Sequence, residues 1–186
     1  MGKNKAVILD RDGTLIEDKD YAYKVEDFKL LPGVIEGLKL LQQDYLLFIV
    51  TNQSGIGRGY YSESDFFKFN NHLIKVLEEN QIRIEETFYC PHIKEENCEC
   101  RKPKIKFIKV IVDGWNVEIE KSWMMGDHPS DISFGINGGC KTVYMITGHG
   151  EKHLRDLELE GIIPTLVHTN FLEAVVEIRR LNKYET

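Results

Sequence analysis

Two carboxylates one residue apart, Asp10 and Asp12, close an apolar run in the segment Val7-Ile8-Leu9-Asp10-Arg11-Asp12-Gly13-Thr14. On extended backbone, residues i and i+2 point the same way, so both acids can reach one ion or one phosphorus atom. An all-oxygen site of this kind suits Mg²⁺, which takes one or two carboxylates together with waters and substrate phosphate. Beside such a cation, one carboxylate can attack phosphorus and form an acyl phosphate while the other donates a proton to the departing oxygen. Gly13 permits the turn that follows, where a β-carbon would obstruct. Alone, the same letters also read as a polar turn after a strand, so the choice rests on the rest of the chain.

Three further clusters carry chemistry. Thr51-Asn52-Gln53-Ser54-Gly55-Ile56-Gly57-Arg58-Gly59 offers a hydroxyl, two amides, the guanidinium of Arg58, and glycines that let backbone N–H groups approach a phosphate. It lacks the Gly-Lys-Ser/Thr ending of a Walker loop. The second, Cys90-x-His92-x5-Cys98-x-Cys100, supplies three thiolates and an imidazole, a complete tetrahedral shell for Zn²⁺. With no open coordination position, that ion would shape a loop and hold the next two residues, Arg101 and Lys102, at a fixed place. Arg101 suits bidentate phosphate recognition, and Lys102 a point charge on a transferring phosphoryl group. The third, Gly126-Asp127-His128-Pro129-Ser130-Asp131, adds Asp127 as a further Mg²⁺ ligand and Asp131 as a group that orients water or a neighbouring ligand. His128 reads as meeting substrate or as solvated at a helix start, with the first favoured. His149 and His153 read as surface residues, and Cys140, Met124 and Met125 as core.

The elements that must position these groups follow from periodicity. Apolar runs at Ala6–Leu9, Tyr45–Val50, Thr87–Tyr89, Trp123–Met125 and Thr142–Ile146, with a weaker one at Thr165–Val167, predict short buried strands. Val34, Leu38 and Leu41 share a helical face after Pro32-Gly33. Ser62-x-x-Asp65 resembles a capping box that opens a helix running to about Asn80. Pro103 suits a first helical position, Gly114 a carboxyl-terminal cap, and 171–181 a final amphipathic helix. Strand alternating with helix predicts an α/β fold with a doubly wound, Rossmann-like parallel sheet. Each cluster then follows a strand and falls at one sheet edge. Residues 15–27 are too few for a separate cap domain.

At 186 residues and 42% hydrophobic content, residues 1–186 are expected to form one domain with a real core, the zinc loop spanning 90–100. No apolar leader opens the chain and no run approaches a membrane span, so a cytoplasmic protein with no membrane partner is expected. The net charge of −6 argues against nucleic-acid binding, which needs a basic footprint. An anionic substrate therefore needs a locally basic pocket. Crowding of Cys90, Cys98 and Cys100 favours metal over disulfides.

In this order the four clusters resemble the haloacid dehalogenase (HAD) superfamily of phosphatases, within its capless, zinc-loop-bearing subfamily, over residues 5 to about 147. That resemblance implies a HAD-like fold without a cap, with Asp10 as nucleophile and Asp12 as general acid and base. It implies Mg²⁺ held by the Asp10 and Asp127 carboxylates and the Asp12 backbone carbonyl, and Zn²⁺ on Cys90, His92, Cys98 and Cys100. Thr51 and Lys102 would stabilise the phosphoryl group. Arg101, the loop Asp18-Lys19-Asp20-Tyr21 and the segment Asn52-Gln53-Ser54 would recognise substrate. The subfamily includes heptose bisphosphate and histidinol phosphatases. Thr51–Gly59 and Tyr21 look like the former; the short x5 zinc spacing and Arg101-Lys102-Pro103-Lys104 look like the latter. His128 departs from both, where Lys or Arg is expected. The expectation is a monomeric phosphomonoesterase for a small phosphorylated metabolite, a heptose 1,7-bisphosphate first and histidinol phosphate second. The reading from another class is a non-catalytic, zinc-stabilised module that binds phosphorylated ligands.

Overall fold

The computed structural model describes residues 2–182. Six strands, β1 (Ala6–Leu9), β2 (Leu46–Asn52), β3 (Glu86–Cys90), β4 (Trp123–Gly126), β5 (Lys141–Met145) and β6 (Leu166–His168), form one sheet in the order β3-β2-β1-β4-β5-β6. Every pairing is parallel. Between them lie α1 (Val34–Leu41), a short α2 (Ser54–Gly57), α3 (Glu63–Glu79), α4 (Lys106–Trp115), α5 (Pro129–Gly138), α6 (Gly150–Leu159) and α7 (Phe171–Asn182).

Why the apolar runs become strands buried on both sides is visible in their parity. Val7, Leu9, Leu47, Ile49, Trp123 and Met125 face one way and pack with Val34, Leu38 and Leu41 of α1, Phe69, Leu73 and Leu77 of α3, and Phe171, Val175 and Ile178 of α7. Ala6, Ile8, Phe48, Val50 and Met124 face the other way, onto Ile108 and Ile111 of α4 and Phe134 of α5. Helices cover both faces, so the central strands need apolar residues at every position and show no alternation. Gly37 lets α7 close on α1: a β-carbon there would stand 2.7 Å from the Phe171 ring. The capping box is real, Asp65 N donating to Ser62 Oγ at 3.2 Å and Ser62 N to Asp65 Oδ2 at 3.0 Å.

From β1 the chain moves out through β2 and β3, then crosses back to β4 on the other side of β1. The crevice at the carboxyl ends of β1 and β4 is the topological switch point, where open α/β sheets bind ligands. No cap domain follows β1; residues 15–27 make a small flap in which Ile16 bridges to Asp12 and to Leu30.

Three expectations need correction. Pro103 does not open a helix: it sits in a turn, and α4 begins at Lys106 after Ile105, which offers no capping side chain. Nor does Gly114 end that helix, because Asn116 closes it in a left-handed conformation, φ 51°. Helix α6 has no counterpart among the predicted elements. Of its apolar positions Leu157 is buried, whereas Leu154 and Leu159 are exposed, too thin a stripe to register as helical periodicity.

Candidate active site

Asp10 leaves the end of β1, its backbone N–H bonded to the Met125 carbonyl of β4 at 2.8 Å. That bond sets it beside Asp127, the residue after β4. Asp10, Asp127 and Asp131 bring one carboxylate oxygen each within 4.8 Å of one another. Gly13 and Gly148 make this approach possible. Gly13 has φ +79°, and a β-carbon on it would stand 2.1 Å from Asp127 Oδ2; one on Gly148 (φ +49°) would stand 2.5 Å from the same oxygen. The Thr147 hydroxyl donates to the Gly13 carbonyl at 2.5 Å, and His149 N–H to Asp127 Oδ2 at 2.8 Å, tying the ends of β1, β4 and β5 together.

Lys102 is 3% exposed and reaches this cluster from the loop between β3 and α4. Its Nζ donates to Asp10 Oδ1 at 2.6 Å and to the Val50 carbonyl at 2.7 Å, and pairs with Asp131 Oδ1 at 2.7 Å. Burial disfavours a lysine charge, yet the two carboxylates outweigh it and hold Lys102 above its ordinary pKa. One ammonium does not balance three acids. Burial first, then Asp131 and Asp12 against the opposing Lys102, push Asp10 up to about 7. Burial with Asp10 and Asp131 pushes Asp127 up to about 9. Ionising all three acids would leave surplus negative charge at an oxygen-rich place, so the cluster holds on to a proton unless a hard divalent cation takes its place.

Asp12 turns away from that cluster. Its carboxylate meets Arg11, Gln53 Nε2 at 2.8 Å and Thr51 Oγ1 at 3.4 Å. Asn52 is used structurally, its Oδ1 accepting from Lys102 N at 3.0 Å, so β2 fixes the backbone that carries the lysine.

The zinc-type cluster joins the last residue of β3, Cys90, to the same loop. Cys90, His92 Nδ1, Cys98 and Cys100 stand 3.2 to 3.6 Å apart in five of their pairs. A tetrahedron with arms of about 2.3 Å has edges of roughly 3.8 Å, so four donors at this spacing fit one ion. The three sulfurs are unbridged. Burial and the neighbouring thiols hold Cys90 above its ordinary range. Burial also acts upward on Cys98, but amides of Arg101 and Cys100 overcome it and bring that thiol down to about 7. Arg101 Nη1 donates to the His92 carbonyl at 3.2 Å, anchoring the first residue beyond the cluster.

The acids, Thr51, Arg101 and Lys102, but not the four soft donors, line a cavity of about 330 Å³. Of the residues expected at substrate, Asp18, Asp20, Tyr21, Asn52, Gln53, Ser54, Arg101 and His128 line it. Arg58 and Lys19 do not: Arg58 is exposed beyond α2, and Lys19 pairs with Asp27 at 3.6 Å. The glycine loop is also not the phosphate cradle expected, since Gly57 N–H is spent on the Pro91 carbonyl and Gly59 N–H on Ile56. A β-carbon on Gly55 would strike Tyr61, and one on Gly57 the Pro91 carbonyl, so these glycines serve close packing. His149 and His153 are not plain surface residues. Both line the cavity, His149 pairing with Asp18 at 3.1 Å and Asp20 at 3.4 Å, and the His153 ring lying 4.7 Å from that of His128, tilted by 60°. They come from α6 and its start, so the missed helix explains the missed residues. His128 caps α5, its ring accepting from Ser130 N, and burial keeps it below its ordinary pKa.

A sequence model of HAD-hydrolase-like proteins matches residues 99–174. A D-glycero-alpha-D-manno-heptose-1,7-bisphosphate 7-phosphatase of Campylobacter jejuni is 43% identical over 145 residues, 77% of this chain and 83% of that protein. The D-glycero-beta-D-manno-heptose-1,7-bisphosphate 7-phosphatase of Haemophilus ducreyi is 38% identical over 184 residues, 91% of this chain and all of that protein. The D,D-heptose 1,7-bisphosphate phosphatase of B. bronchiseptica, solved with magnesium and phosphate, superposes with a TM-score of 0.84 at 27% identity, covering 95% of this chain and 98% of that one. Six parallel strands in this order, a carboxylate and lysine cluster at their switch point, and relatives of this identity and coverage agree: the chain is a phosphatase and belongs to the HAD-like hydrolases.

Proposed function

We propose that this phosphatase removes the 7-phosphate of a D-glycero-D-manno-heptose 1,7-bisphosphate through an aspartyl phosphate on Asp10. The observation that carries the mechanism is Lys102 Nζ, held at 2.6 Å from Asp10 Oδ1 in a buried cluster of acids. Lys102 keeps the Asp10 carboxylate aimed and answers charge on the phosphoryl oxygens as they approach. An Asp10 oxygen bonds to phosphorus while Asp12 gives its proton to the departing sugar oxygen. Asp12 then takes a proton from water as that water's oxygen bonds to phosphorus and the Asp10–phosphorus bond breaks, freeing phosphate. Asp10 and Asp127, with the Asp12 carbonyl, would hold Mg²⁺, which neutralises the phosphoryl charge when bound. Cys90, His92, Cys98 and Cys100 would hold Zn²⁺ and so keep Arg101 and Lys102 at the cavity.

The names of the relatives support a heptose bisphosphate over histidinol phosphate, and the basic pair Arg101 and Lys152 at the cavity suits a second phosphate. Among the described residues no helix is long and apolar enough to cross a membrane. The unbridged thiol cluster, read as metal ligands, favours a reducing compartment, the cytoplasm. Phosphate release with Mg²⁺ from both anomers of the heptose bisphosphate, beside histidinol phosphate, tests the reading. The expected result is a higher kcat/KM on one heptose anomer and loss of release in a chelator. Preference for histidinol phosphate would overturn the substrate.

A further inference from the structure

Arg11 is a charged side chain, 1% exposed, inside the apolar packing beneath the site. Its guanidinium lies over the rings of Phe66 (5.3 Å) and Phe69 (4.9 Å). A cation buried like this is tolerated where an anion pairs with it, and the paired anion is Asp12. Arg11 Nε donates to Asp12 Oδ2 at 3.1 Å and Nη2 to Oδ1 at 3.0 Å, a two-pronged grip that fixes the plane of the carboxylate. Nη2 also reaches Gln53 Oε1 at 3.2 Å. That amide is oriented by Tyr61, whose hydroxyl donates to Oε1 at 2.6 Å and so turns Gln53 Nε2 toward Asp12 Oδ2.

The two oxygens of Asp12 are served unequally. Oδ2 accepts from Arg11 Nε, Gln53 Nε2 and, more distantly, Thr51, whereas Oδ1 accepts from Arg11 Nη2 alone among the described residues. A carboxylate oxygen has two lone pairs, so Oδ2 is saturated and Oδ1 keeps one free.

We propose that Arg11, with Gln53 and Tyr61 behind it, is a positioning residue that clamps Asp12 and makes Oδ1 the oxygen that moves the proton. The proposal rests on Asp12 being the acid and base of the reaction. The Oδ1 proton passes to the sugar oxygen as its bond to phosphorus breaks and the Asp10–phosphorus bond forms. In the second half Oδ1 takes the proton of the attacking water. In a fold with no cap domain to hold Asp12 from above, the clamp holds it from below. Tyr23 stacks on Tyr61 at 5.1 Å, which links the clamp to the flap.

The test compares kcat/KM for heptose bisphosphate, whose alkoxide must be protonated, with that for p-nitrophenyl phosphate, whose phenolate leaves without help. This parameter covers only the steps through leaving-group release, so hydrolysis of the aspartyl phosphate does not enter. General acid catalysis supplies at least about 100-fold, so Arg11→Met is expected to cut the sugar-phosphate value by about 100-fold and the aryl value by under about threefold. Arg11→Lys, which keeps charge and loses the fork, should fall between. Tyr61→Phe should shift the ratio the same way by less, and it decides the matter if Arg11→Met does not fold. Equal losses on both substrates in every folded variant would mean a merely structural role and overturn the clamp. Asp12→Asn is the control: sugar-phosphate turnover surviving it would overturn the role of Asp12 itself, a different failure.

Discussion

Gly13 concentrates the logic of the site in one residue. Its left-handed backbone turns the chain after Asp10, and its missing β-carbon is the space that Asp127 Oδ2 occupies. Gly13→Ala is expected to push Asp127 out of the cluster, raising the Mg²⁺ concentration needed for activity and lowering kcat; activation by Mg²⁺ at the wild-type midpoint would contradict this. The carboxylates also make a statement about pH. Asp10 and Asp127 have folded-state pKa values raised above the unfolded value of about 3.9. Their stabilising contribution is therefore complete below pH ~4 and is lost as pH rises through the folded values near 7 and 9. Cation-free protein should lose Tm across that window more than Asp127→Asn does, and Mg²⁺ should restore more Tm at the top of the window than at the bottom. Equal slopes for the two proteins would refute the charge surplus. The acids, Thr51, Lys102 and the four soft ligands were legible because residue type and strand-end position carry the message together. Arg11 and Gln53 were not legible as a clamp, because the grip on Asp12 closes only when Gln53, 42 residues from Arg11 and 41 from Asp12, folds against them. The glycines of 55–59 misled because packing and phosphate binding ask for the same residue.

At the scale of elements, the loop between β3 and α4 is the part that metal should build. Four soft donors, then Arg101 and Lys102, leave it few apolar contacts of its own, so its order depends on the ion. Purified protein should contain about one Zn²⁺ per chain, and Cys98→Ala should raise hydrogen exchange in residues 90–102 before the sheet is affected, with kcat falling as Lys102 loosens. Zinc-free protein with full activity and unchanged exchange would contradict the loop's positioning role. The central strands were readable because burial on both faces demands unbroken apolar runs; the edge strands β3 and β6, expected as buried, are only partly so, with Val167 45% exposed. Helix α3 was readable because its cap is written in two letters. Helix α4 was displaced because Ile105 gives no capping signal and a proline upstream offered a false one. Helix α6 stayed hidden because its exposed leucines dilute its buried face, and with it went the reading of His149 and His153.

Across the whole molecule, the locally basic pocket expected of a chain of net charge −6 is not what the cavity shows: Asp10, Asp12, Asp18, Asp20, Asp127 and Asp131 line it beside Arg101, Lys102 and Lys152, so an anionic substrate needs a cation bound there as well. The parallel, doubly wound sheet followed from alternating elements, and it places the four clusters at one edge however far apart they are in the chain; the strand order itself was not legible. Cavity shape was not legible, because it depends on how the flap, the metal loop and α6 close over that edge. The account stands or falls on Asp10 as the covalent carrier of phosphate. The direct measurement is the mass of the intact chain after rapid acid quench during turnover of the heptose bisphosphate, followed by mapping of the modified peptide. The account predicts a fraction of chains heavier by one phosphoryl group on the peptide holding Asp10, absent in Asp10→Asn, which keeps its fold and loses turnover. Steady turnover with no phosphorylated chain, or an Asp10→Asn variant as fast as the native protein, would contradict it.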